Sequence, residues 1–208
     1  MRFLATHVVS ILTLAVLMGC TETSTPPQPS ANEKPSAEEP STWEIVEQED
    51  LNETQADQRD RALAAKDALA GKLKKRLMEV VSKDGFPAAI SVCKEDAPKL
   101  AKEVSQEQGL LIGRTSHRLR NSANQPPVWA EALVKDKPAE PTYLVSEDSL
   151  AALLPIPTGP ICLNCHGTKD GIAADVLEAL NEKYPDDQAT GFEEGDLRGW
   201  FWVEVAGN

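Results

Sequence analysis

Apolar residues recur along this chain with two different periods, and each period marks a different region. Over residues 56–83, Leu69, Leu73, Leu77 and then Val80 or Val81 follow one another at helical spacing, opposite Lys66, Lys72, Lys74 and Arg76. That stripe predicts one long amphipathic helix with a single face in the core. Asp84-Gly85, with Pro87 just beyond, ends it, since glycine accepts the left-handed cap and proline cannot extend the ladder. A second helix starts at Pro87, a residue suited to a first turn, and carries Ala89, Cys93 and Ala97 four apart, then Leu100 and Val104. Pro98 divides this run, with Asp96 capping its second piece. Cys93 therefore faces inward, and Met78, one place off the first stripe, reads as core.

Further along, the period shortens. Residues 110–116, 142–145, 151–156 and 200–205 are short β-rich runs separated by turns with proline or glycine, and residues 173–183 return to a helical pattern. Helices first and strands afterwards make an α+β fold and not a βαβ alternation.

The first 54 residues are of another kind. Arg2 precedes an apolar run over residues 8–18, too short to cross a bilayer as a helix, so residues 1–19 read as a signal peptide. Leu17-Met18-Gly19-Cys20 resembles a bacterial lipobox, which implies cleavage before Cys20 and a diacylglyceryl anchor upon it; the alternative is ordinary cleavage with Cys20 free or in a disulfide. Either way the chain is exported to the bacterial cell envelope, and the anchor would hold it at the periplasmic face of a membrane. Residues 20–54 are rich in Ser, Thr, Pro, Glu and Gln and read as a disordered tether, interrupted by Trp43, Ile45 and Val46. Residues 55–208 suit one domain. With 33 acidic and 21 basic residues the net charge is -12, about one unit more negative once Arg2 is removed. That balance argues against nucleic acid or an anionic membrane surface as partners, and mildly for basic ones.

Cys162-Leu163-Asn164-Cys165-His166 spells CxxCH. In c-type haem attachment the two thiols, one helical turn apart, add across the two vinyl groups and the histidine meets the iron. Gly167 follows, able to take the left-handed conformation where the turn ends. A thioredoxin-like dithiol wants a strand before it and a helix continuing after it, whereas Pro155, Pro157 and Pro160 precede this one. A structural zinc site needs two further ligands with their own spacing, and no second CxxC or HxxxH exists. A short-loop disulfide stays open, because the compartment is oxidising. One covalent haem c accounts for two of the four cysteines and the anchor for a third, leaving Cys93. No nucleophile beside a base and no glycine-rich phosphate loop is evident, so the chain does not read as an enzyme.

The chain resembles the Tll0287-like haem domain family, formerly a domain of unknown function, over roughly residues 62–205. The likeness rests on Ala89-Ile90-Ser91-Val92-Cys93, on Arg114-Thr115-Ser116 with Arg120-Asn121 and Asn124, and on Pro155-Ile156 leading into the CxxCH segment. It continues through Tyr184-Pro185-Asp186-Asp187-Gln188-Ala189-Thr190-Gly191 to Gly195-Asp196-Leu197-Arg198-Gly199, and departs at Ser122, where the family has proline. The resemblance implies a PAS-like antiparallel sheet with N-terminal helices and one c-type haem. It also implies iron held by His166 on one side and by a cysteine sulfur, here Cys93, on the other; His117 and Met78 are the other candidates. Arg114 and Arg120 are candidate partners of the haem propionates, since a guanidinium pairs bidentately with a carboxylate. His117, among Arg118, Leu119 and Arg120, otherwise reads as an exposed polar histidine. A thiolate opposite histidine favours ferric iron and a low potential, and its loss on reduction would suit a redox or small-ligand sensor signalling to a protein partner that the chain does not name. The alternative is a low-potential electron-transfer cytochrome that keeps both ligands.

Overall fold

A computed structural model describes residues 43–207; the expected signal peptide, Cys20, the part of the expected tether up to residue 42 and Asn208 lie outside the described residues. The strands are β1 (Glu44–Val46), β2 (Leu111–Thr115), β3 (Thr142–Ser146), β4 (Ser149–Pro157) and β5 (Leu197–Val205). They form one antiparallel sheet in the order β1-β3-β4-β5-β2. The α+β class and the helices N-terminal to most of the sheet are as expected. One expectation is corrected at the tether: residues 43–54 belong to the folded unit. Ile45 pairs with Leu144 of β3, Val46 packs on the core, and the Trp43 ring lies 6.1 Å from that of Trp129.

Alternation along β5 decides where the core sits. Phe201, Val203 and Val205 face helix α1 (Glu53–Ser91) and pack with Ala62, Ala65 and Leu69. Trp200 and Trp202 take the other face, where Ala130 and Val134 of an unforeseen turn and the short helix α3 (Glu131–Asp136) cover them together with Leu153. Six residues are too few to show a helical period in sequence.

Helix α1 starts in a reciprocal cap. Asn52 Oδ1 accepts from Gln55 N–H at 2.9 Å, and Gln55 Oε1 accepts from Asn52 N–H at 3.0 Å. Its fully buried stripe is Gln58, Ala62, Ala65 and Leu69, whereas Leu77, Val80 and Val81 are only half-buried. Alanines pack here because they let the helix axis approach the sheet closely. Gly85 interrupts α1 with φ 83°, as its position before Pro87 predicts.

The second expected break does not occur. After Ser91 the chain passes through a π turn, Val92–Asp96, straight into helix α2 (Ala97–Gln108). Pro98 sits in the first turn of α2, where a missing N–H costs nothing. Asp96 does not cap; its carboxylate accepts from Arg76 Nε at 2.7 Å. Cys93 therefore lies in a π turn, a helical irregularity that occurs often at functional sites.

Candidate functional site: one cavity at the end of the sheet

The end of the sheet where β2 and β4 finish and β5 begins opens into a cavity with about 740 Å³ of atom-free space, its open mouth included. Strand ends supply Arg114 and Thr115 from β2, Ile156 and Pro157 from β4, and Arg198 and Gly199 from β5. The π turn supplies Cys93, and the residue that closes helix α5 (Ala174–Lys183) supplies Tyr184. Cys162 and His166 complete the wall. Gly199 lets the strands close here, since a Cβ on it would lie 2.3 Å from Thr115 O.

The CxxCH segment is a single turn. A 3-10 turn, Pro160–Cys162, runs into helix α4 (Leu163–His166), which stops at Gly167. Gly167 is not left-handed, contrary to expectation: its φ is -65°. Glycine is needed for space, because a Cβ would sit 2.7 Å from Leu163 O. A strand does precede the motif, because β4 runs through Pro155 and Pro157. Pairing with β3 stops at Leu153, so both prolines lie where β4 has a free edge and no N–H is required. A continuing helix is what the thioredoxin arrangement lacks here.

His166 is held in one tautomer. Its Nδ1–H donates to Ala189 O at 2.7 Å, which leaves the Nε2 lone pair toward the cavity. Burial, with Arg198 and Arg120 nearby, drives its pKa well below the usual histidine range, so the ring is neutral. The loop that orients it is itself tied back, Phe192 N–H to His166 O at 2.9 Å and Gly191 N–H to Gly167 O at 2.6 Å. A neutral imidazole with one nitrogen bonded to a carbonyl is the state of a metal-ligating histidine.

Cys93, Cys162 and Cys165 are separate thiols, and the short-loop disulfide is not formed. Cys93 and Cys162 share the cavity wall with His166. Cys165 packs beside Ile90, Ile172 and Val176, and burial pushes its thiol up to about 11. The other two ligand candidates are elsewhere. Met78 is exposed on α1. His117 is not an exposed polar residue: its ring sits 6.1 Å from Phe192 and 5.8 Å from Trp200, outside this cavity.

The arginines divide differently from the expectation. Arg120, 8% exposed, is a clasp: Nε donates to Asp187 Oδ2 at 3.0 Å, and Nη2 donates to Ala189 O at 3.1 Å and to Cys165 O. It binds the CxxCH turn to the loop that orients His166. Arg114 lines the cavity, and no carboxylate among the described residues pairs with it; burial lowers its pKa, Cys93 and Tyr184 partly offsetting this. Arg198 was missed as a site residue, although its Asp-Leu-Arg-Gly segment is conspicuous. Its Nη1 donates to Ser116 Oγ at 3.0 Å, its Nε lies 3.5 Å from His166 Nε2, and burial brings it down to about 10. That segment marks the position but not its role, which only the fold separates from that of Arg118, whose guanidinium is spent on Gln188 O, Thr190 O and the Phe192 ring.

A family model described as Tll0287-like matches residues 37–206. The chain belongs to the Tll0287-like family. Among solved structures, the cyanobacterial heme-protein Tll0287 is similar, with 25% identity and a TM-score of 0.52 over 69% of this chain and 94% of that one. No curated protein matches the chain. The family span begins before β1, in accord with a folded unit that includes Trp43 and Glu44–Val46.

Proposed function

We propose that this member of the Tll0287-like family is an exported, lipid-anchored c-type haem protein, anchored through Cys20, that senses redox state or a small ligand. The observation that carries the reading is one cavity lined both by a neutral His166, whose Nδ1 is bonded to Ala189 O and whose Nε2 meets Arg198 Nε over 3.5 Å, and by Cys93. The residues present suit the group. Cys162 and Cys165, one turn apart, would form the two thioethers, and His166 and Cys93 would hold the iron. The haem of the cyanobacterial heme-protein Tll0287 supports the assignment by family. Haem supplies an iron that changes oxidation state and can take a small ligand when a position opens.

The protein's own part is to couple that position to a helix. An anionic Cys93 sulfur would favour ferric over ferrous iron and would hold a reduced iron less tightly. Cys93 sits in the π turn that joins α1 to α2, so what its sulfur holds bears on the path of both helices. A partner protein would receive that change. No catalytic step is assigned to the chain.

The test is a visible spectrum, oxidised and dithionite-reduced, of the full chain matured with a haem-attachment system beside Cys93→Ala, with carbon monoxide added to the reduced forms. A c-type spectrum, ferric bands altered in the variant and carbon monoxide binding by the reduced wild type are expected. Haem with identical spectra in both proteins would leave Cys93 a packing residue and the chain an electron carrier. Absence of haem, while a control cytochrome matures, would remove the cofactor. In the same cells Cys20→Ser should move the protein from the membrane fraction to the soluble one; unchanged fractionation would remove the anchor.

A further inference from the structure

The cavity has a charge imbalance that its own walls do not resolve. Three guanidiniums, those of Arg114, Arg120 and Arg198, line it. One carboxylate answers them: Asp187, spent on Arg120 at 3.0 Å, with the two side chains 6% and 10% exposed. Arg114 and Arg198 are left without a counter-ion among the described residues, in a chain whose net charge is -12. Both side chains are half-buried, and a partly desolvated cation without a counter-ion favours an anion bound beside it. A hydroxyl on a residue that lines the cavity is also unused. Tyr184 Oη is buried, on a residue 6% exposed, and has no hydrogen-bond partner among the described residues.

Two positive charges and a hydroxyl donor describe a receptor for a dianion with several acceptor oxygens. Two carboxylates on one ligand meet that description, and a guanidinium offers each a planar fork. Arg198 has one further feature: what it faces now, over 3.5 Å, is the His166 Nε2 lone pair, an atom that a metal would take.

Resting on the haem reading above, we propose that Arg114 and Arg198 bind the two carboxylates of the porphyrin, that Tyr184 donates to one of them, and that Arg198 leaves His166 Nε2 to do so. Arg120 takes no part, because Asp187 already neutralises it and its Nε and Nη2 are spent on Asp187, Cys165 O and Ala189 O; Arg198 spends Nη1 on Ser116 Oγ but has no carboxylate among the described residues. The pairing anticipated from sequence thus keeps Arg114 and exchanges Arg120 for Arg198.

The experiment titrates the haem-free full chain with zinc protoporphyrin IX and, separately, with its dimethyl ester, following porphyrin fluorescence and the band shift that marks axial ligation by His166. Wild type should bind the diacid more tightly than the diester by at least about tenfold, since charge-assisted pairs are lost in the ester. Arg114→Gln and Arg198→Gln should each shrink that ratio, the double variant should bring it close to unity, and Arg198→Gln should keep the axial-ligation shift. Equal affinity of wild type for the two porphyrins overturns the inference without using any variant, and leaves the haem reading to the attachment experiment. Loss of the ligation shift in Arg198→Gln, with the acid-to-ester ratio intact, overturns it too, by making Arg198 a positioning residue for His166. If neither porphyrin binds, this inference falls, and with it the claim that the cavity receives such a group.

Discussion

At His117 the surroundings decide what the side chain does. Burial, then Lys137, Arg118 and Arg198, lower its pKa, and its Nδ1 is buried without a partner among the described residues. The folded state therefore favours the neutral ring. The stability this gives is fully present above the unfolded value of about 6.5 and drains away as pH falls below it, because the unfolded chain then binds the extra proton. Between pH 7 and pH 5 the urea midpoint of wild type should fall further than that of His117→Phe, which keeps the ring contacts; equal falls would show that His117 does not titrate into the fold. The arginines carry the same lesson. Arg114, Arg118, Arg120 and Arg198 look alike in a sequence. One lines a cavity without a counter-ion, one stacks on Phe192, one clasps Asp187 and one faces His166. CxxCH differs because its chemistry depends on spacing within one turn, and a single turn is set by adjacent residues.

Among the elements, α1 separates periodicity from burial. The leucine stripe placed the helix correctly, but the face against the sheet is carried by its first member, Leu69, with Ala62 and Ala65 one to two turns before it. Leu69→Ala should cost about 2–5 kcal/mol, a buried methyl cluster plus the cavity it leaves. Leu77→Ala, half-buried, should cost less than about 1 kcal/mol. Denaturant midpoints of the two variants compare them directly, and similar losses would return the core face to the stripe read from sequence. Strand β1 was read as an apolar interruption of a tether because three residues are too short to show alternation; only pairing with β3 identifies them as an edge strand. Pro98 was read as a break because proline cannot sit inside a helix, yet a π turn before it lets the helix restart with proline in a permitted place.

Across the molecule, the site depends on contacts between segments far apart in sequence. Arg120 joins the CxxCH turn to Asp187 and Ala189, 67 and 69 residues away. Arg120→Met should destabilise the fold by about 3 kcal/mol or more, because it leaves Asp187 buried and unpaired, and it should lower haem attachment as the His166 loop loosens. Asp187→Asn in the same chain should recover part of that loss; a single-variant cost under about 1 kcal/mol would mean that the clasp holds nothing. The sequence by itself determined what is local: an α+β order of elements, the haem-type pentapeptide, an inward Cys93 and the motifs that mark the family. Tertiary structure alone decided which residues meet. It brought Cys93 and His166 to one cavity, gave Arg120 to Asp187, left Arg114 and Arg198 without a counter-ion among the described residues, and oriented His166 through Ala189 O. The physical reason is range. Helix and strand periods and a one-turn thiol spacing come from neighbours along the chain, whereas the charge balance and tautomer of a buried group are set by whatever the fold brings within hydrogen-bonding distance.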